Sequence, residues 1–128
     1  MNSGQNFTKE ERISKQKEID LLFNEGHSFI AYPLRVIYTE KPTTTEIPIS
    51  ILVSVPKRRF KRAVKRNRMK RIIRESYRLN KNELTEFLQT KEKGLFIAFL
   101  YVSNDIHPFT IIEASMKKAL NSLKEKLS

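Results

Sequence analysis

The chain has 128 residues, room for a single core. Its 25 Lys and Arg against 14 Asp and Glu give a net charge of +11, which makes nucleic acid or an anionic membrane surface the leading partner class. With no cysteine, disulfides, thiolate catalysis and Cys-ligated metal are excluded, and eight Phe with four Tyr argue against disorder.

No apolar run approaches the ~18 residues needed to span a bilayer. The N-terminus, MNSGQNFTKEER, lacks the apolar stretch of a secretory signal, so a cytoplasmic protein is expected. Residues 1–11 read as a loose polar segment. From Ser14 to Glu25 the positions Ile19, Leu22 and Phe23 fit a helical stripe, with Ser14 as N-cap and Gly26 at the C-terminal cap position.

SFIAYPLRVIYT is aromatic and β-branched, and Pro33 divides it into two short strands or a bent edge strand. In its second half Leu34, Val36 and Tyr38 share one face, Arg35 and Ile37 the other. EKPTTTE (40–46) reads as a mobile loop. IPISILVSV (47–55) alternates Ile49, Ile51, Val53 and Val55 against Ser50, Leu52 and Ser54, a strand expected to pair antiparallel with its predecessor.

A long helix is expected from Phe60–Arg62 to about Leu79, followed by a break at Asn80-Lys81-Asn82. Asn82 could cap a short helix, ELTEFLQ. GLFIAFLYV (94–102) is almost continuously apolar, as for a central strand. From Pro108 onward Ile112, Met116, Ala119, Leu120, Leu123 and Leu127 recur at helical spacing. The expected fold is α+β, a two-layer α-β sandwich with one sheet in a single domain, order αβββαβα.

The charge is localised. Lys57–Arg74, KRRFKRAVKRNRMKRIIR, holds 11 basic residues in 18 and no acid, while the other 110 residues carry 14 of each sign. On a helix, Met69, Ile72, Ile73, Ser76 and Tyr77 form one side; Asn67, Lys70, Arg71, Arg74 and Arg78 form the other. A basic helical face is usually just solvated. Here like charges at spacings of three and four repel, each close pair costing a few tenths of a kcal/mol, and no acid inside the segment relieves them. Binding phosphates and releasing their counterions reverses that balance.

Arg grips phosphate bidentately and stacks on bases, which favours nucleic acid over lipid, and the helix lacks an exposed apolar face for a membrane. Neither helix-turn-helix spacing nor a zinc-finger pattern is present, so RNA is expected rather than DNA. Arg66 projects on the side of Met69 and Ile73 and must sit beyond the edge of the core. Tyr38 and Phe23 either fill the core or stack on a single strand.

RAVKRNRMKRIIRES resembles the signature of the bacterial ribonuclease P protein family, and the order of elements, with EIDLLFNEGHSF before and ILVSVPK between, extends the resemblance over nearly the whole chain. The resemblance implies a ribosomal-protein-S5-domain-2-like sandwich with a left-handed βαβ crossover. It implies a protein subunit that binds ribonuclease P RNA and the 5′ leader of precursor tRNA, assisting removal of the leader.

By that resemblance Arg66, Asn67, Arg68, Lys70, Arg71 and Arg74 bind RNA; Arg78 joins them on the same helical stripe, and the local charge adds a flanking basic loop of Lys57, Arg58, Arg59, Lys61, Arg62 and Lys65. A leader cleft is implied too, with Phe23 and Tyr38 at its aromatic positions and Ile19 where the family often has another aromatic; Ser54, on the small and polar face of its strand, is a further cleft candidate. A monomer is expected, with Mg²⁺ used by the RNA subunit and no cofactor held firmly by the protein.

No protein active site is visible. His27 and His107 read as loop residues without partners at ligand or triad spacing. Phosphodiester hydrolysis needs an activated water, usually on bound metals, and no carboxylate cluster is in place to hold them. The competing readings are a generic rRNA- or ribosome-associated RNA-binding protein, which needs no leader cleft, and a stand-alone nuclease, which needs catalytic residues.

Overall fold

Side-chain alternation and one long apolar strand set the architecture. A computed structural model describes residues 12, 13, 15–41 and 48–128. The proposed cap at Ser14, the segment 1–11 and most of the 40–46 loop lie outside the described residues. Helix α1 (Gln16–Glu25) leads into strands β1 (His27–Ala31), β2 (Leu34–Glu40) and β3 (Ile49–Ser54). Helices α2 (Ala63–Asn80) and α3 (Asn82–Lys91) follow, then β4 (Leu95–Tyr101) and α4 (Phe109–Leu127).

α3 is the element missing from the expected order, and the break before it is slight. Lys81 is itself helical (φ −75°, ψ −20°) and joins α2 to α3, so Asn82 is the first residue of α3 and caps nothing. Asn80 is occupied instead, donating to Ser76 O at 2.7 Å and to Glu113 Oε2 of α4 at 3.0 Å.

Pro33 divides the first hairpin as expected: Tyr32 and Pro33 form the turn, and β1 pairs antiparallel with β2. The sheet order is β1-β2-β4-β3, with β4 antiparallel to β2 and parallel to β3. The expected antiparallel pairing of β3 with β2 does not occur. β4, LFIAFLY, is the most apolar strand and is buried on both faces except at Leu100, so the central slot goes to it and β3 moves to the edge. A parallel neighbour needs a long crossover, and α2 with α3 supply it.

The two faces of the sheet are covered unequally. The main core joins Leu34, Val36, Ile49, Ile51, Val53, Ile97 and Phe99 of the sheet to Met69, Ile73 and Tyr77 of α2 and Met116, Leu120 and Leu123 of α4. On the opposite face Leu22 of α1 and Ile13 pack on Ile37, Phe96 and Ala98. Burying Leu22 completely contributes roughly 1.5–3 kcal/mol.

Gly26 ends α1 in extended backbone (φ −76°, ψ 154°), not in the left-handed region. It is glycine for space: a Cβ there would lie 2.2 Å from Leu22 O and 2.8 Å from Ile37 Cγ2.

Candidate nucleic-acid interface

α2 forms because Lys57–Arg74 and its continuation hold no Gly or Pro and are rich in Arg, Lys, Met and Ile. It settles on the sheet through Met69, Ile73, Ser76 and Tyr77, all buried, with Ile72 half-buried beside them. Its first turn carries no acid, so the positive end of the helix dipole adds to the side-chain charge.

On the outer side Asn67 and Arg71 are exposed and Lys70, Arg74 and Arg78 are half-buried. Asn67, Arg71, Arg74, Glu75 and Arg78 line an open pocket together with Arg12. Arg12 was not anticipated; nothing in its local sequence signals it. It arrives because the strip at 12–13 runs alongside β3, in a parallel bridge to Ile51 with Ile13 N–H donating to Ile51 O at 2.8 Å. Burial, and then the charge of Arg12, push the Arg74 guanidinium below its ordinary pKa. An arginine stays ionised at any ordinary pH, so the direction records first the cost of burying the charge and second the repulsion from Arg12, both of which an incoming anion would offset.

Glu75 modifies the stripe. Its Oε2 lies 2.6 Å from Arg78 Nη2 and its Oε1 3.0 Å from Arg78 Nε, a bidentate pair one turn apart. The hydrogen bond to Arg78 holds the Glu75 carboxyl below its usual range and raises the guanidinium. Arg78, expected as an RNA contact, is thus already engaged.

Arg66 turns back rather than outward: Nη1 donates to Phe60 O at 2.9 Å and Lys61 O at 2.7 Å. It fixes the entry to α2. Arg59 is tied down too, Nη1 donating to Asn104 Oδ1 at 3.1 Å, and Phe60 is buried. Lys57, Arg58, Lys61, Arg62, Lys65 and Arg68 remain exposed. The basic loop is therefore a pinned loop with outward charges.

The cleft residues separate into two groups. Ile19 and Phe23 are on α1, Phe23 being 45% exposed, and Ser54 shares the α1 face of the sheet. On the same face one transverse row joins successive cross-strand partners: Ile30 (60% exposed) and Arg35 are open, while Leu100 and Ser54 are half-buried and Leu100 packs against the α1-side cluster.

Tyr38 is not among them. It faces the α2–α4 side, half-buried against the main core, its ring 5.6 Å from His27 and 6.1 Å from Phe29. The strand alternation already separates Tyr38 from Ile37, the residue that α1 covers, so sheet parity and not packing detail excludes it.

His27 opens β1 rather than lying in a loop. His107 Nε2 is 3.1 Å from Ser103 Oγ, a buried oxygen that also accepts from Asp105 N–H. Among the described residues no group of three or more His, Asp or Glu could hold a metal ion, and no helix is long and apolar enough to cross a membrane.

Comparison with known proteins agrees with the pattern of charge and topology. A Porphyromonas gingivalis ribonuclease P protein component is 46% identical over 113 residues, 88% of this chain and 82% of the relative. One from Chlorobaculum tepidum is 39% identical over 90 residues, 65% of this chain and 58% of the relative.

Among solved structures, a Staphylococcus aureus RNase P protein mutant, described as defective in mRNA degradation, superposes with a TM-score of 0.72 at 24% identity, covering 91% of this chain and 90% of that one. The RNase P protein from Thermotoga maritima gives 0.56 at 22%, covering 91% of each. The family model Ribonuclease P matches residues 7–124, and with that span and these relatives the chain belongs to the ribonuclease P protein family.

Proposed function

We propose that the chain is the protein subunit of ribonuclease P, the endoribonuclease that matures the tRNA 5′ end, and that it acts by binding RNA rather than by carrying out the chemistry. The observation that carries this is the convergence of Arg12 with Asn67, Arg71 and Arg74 on one pocket of α2, in a chain of this family. Guanidinium groups delivered by two separate elements match phosphates along a folded RNA backbone. The row Ile30–Arg35–Leu100–Ser54, open at Ile30 and Arg35, with Phe23 exposed on α1, offers an apolar floor with one cation, suited to a single-stranded leader.

In this reading the metal ions that activate water belong to the RNA subunit. The protein lowers phosphate repulsion and positions the substrate. Cleavage of precursor tRNA by a bacterial ribonuclease P RNA at low Mg²⁺, with and without the protein, tests it. Stimulation by the protein is expected. No stimulation would leave a generic RNA-binding protein, and cleavage by the protein alone would make it a nuclease.

A further inference from the structure

Tyr32 lies outside both surfaces described above and is 62% exposed, at the tip of the β1–β2 turn. A tyrosine that far into solvent gains little from burial, yet this one is held in place. Its ring meets His107 edge-on, with centroids 6.0 Å apart and planes at 84°. His107 is in turn oriented by Ser103 Oγ at 3.1 Å and lies 6.3 Å from the buried ring of Tyr101, which packs at 5.9 Å on Phe60. Four rings therefore run from the core outward, and the last, Tyr32, is the most exposed of them. The turn itself is fastened to the end of β4, where Val102 N–H donates to Pro33 O at 2.9 Å.

The same connection that carries His107 also anchors the basic loop, through Arg59 to Asn104 at 3.1 Å, while Phe60 roots that loop in the ring series. Lys57, Arg58, Lys61 and Arg62 are thus exposed around a shared support with Tyr32. An exposed aromatic ring and exposed cations carried on one support are the pairing that holds single-stranded nucleic acid, with bases on the ring and phosphates on the charges. Tyr32 also lies two residues beyond Ile30, which stands at the β1 end of the row Ile30–Arg35–Leu100–Ser54.

We propose that Tyr32 is a stacking platform for an unpaired base of the precursor's 5′ leader, beyond the α1 cleft, with the neighbouring phosphates on the basic loop. This rests on the ribonuclease P reading. Stacking one base on one ring is worth enough to change affinity by roughly 5- to 100-fold.

The test is precursor-tRNA binding by the reconstituted holoenzyme, with Tyr32→Ala, Tyr32→Phe and Tyr32→Leu, using substrates with long and with one-nucleotide leaders and mature tRNA. Tyr32→Ala and Tyr32→Leu should each lose at least 5-fold for the long leader only, and Tyr32→Phe should keep wild-type affinity. Thermal melts of the exposed-site variants confirm that they fold.

Equal losses for mature tRNA, a loss in affinity for the RNA subunit itself, or full retention by Tyr32→Ala overturn the platform. The wild-type holoenzyme must favour leader-bearing substrate. If it does not, both readings fall, whereas indifference confined to the Tyr32 variants overturns this one alone.

Discussion

Glu75 is the acidic residue among the described side chains that line the Arg12–Arg78 pocket, and it turns a charge on α2 inward on itself. Replacing it by Gln removes the competitor for Arg78. Glu75→Gln should therefore tighten RNA binding and steepen the dependence of log K on log salt by up to about one unit, one phosphate's worth. Filter binding between 50 mM and 300 mM salt, on the order of the usual range, reads the slope; a shallower one means Glu75 itself touches RNA.

The pH behaviour follows from the same pair. A depressed carboxyl is ionised above its unfolded pKa of roughly 4.3, so its contribution is complete at neutral pH and is lost only as pH falls through the lower folded value. Binding should not change through Glu75 near neutrality.

Arg66 answers differently from its neighbours, because it satisfies two loop carbonyls. Arg66→Ala should destabilise the fold by about 1–3 kcal/mol, seen as a lower melting temperature. Arg71→Ala, at an exposed position, should melt as wild type and bind RNA less well.

At the scale of elements, alternation and periodicity carried most of the fold. The two faces of α2, the two-sided burial of LFIAFLY and the stripe of α4 were each legible from side-chain spacing. The β3 pairing was not, because neighbours in sequence pair by default and only the competition for the central slot reveals β4 as the intruder. Asn82 misled for a related reason: a residue that caps well in isolation is not needed where Lys81 keeps the backbone helical.

Tyr38 shows how far parity alone reaches. Its grouping with Leu34 and Val36 was legible, and that grouping already places it away from α1, whatever a family pattern implies. Tyr38→Ala should accordingly lower stability, by less than the roughly 3–5 kcal/mol of a fully buried aromatic because it is half-buried, and should weaken leader-bearing and mature tRNA alike. A selective loss for the leader would return Tyr38 to the substrate side. Ile73→Ala, at a position with no exposure, should cost about 2–5 kcal/mol.

For the whole molecule the question is whether +11 acts as a diffuse cloud or as a placed surface. The meeting of the Arg12, Arg71 and Arg74 guanidiniums argues for placement, since one segment of the chain and one strip beside β3 are folded to converge there. The alternatives differ in their response to equal changes of net charge. Arg71→Ala with Arg74→Ala removes two charges from the pocket; Lys117→Ala with Lys118→Ala removes two exposed charges from α4.

A diffuse field depends on the total, so both double variants would lose affinity for the RNA subunit equally. Contacts to particular phosphates depend on position, so the α2 pair should flatten the log K against log salt slope by roughly 1 to 2 units and the α4 pair should leave it unchanged. Equal slopes for the two variants would mean that the charge of α2 works at long range, and the pocket would lose its claim to be the RNA contact.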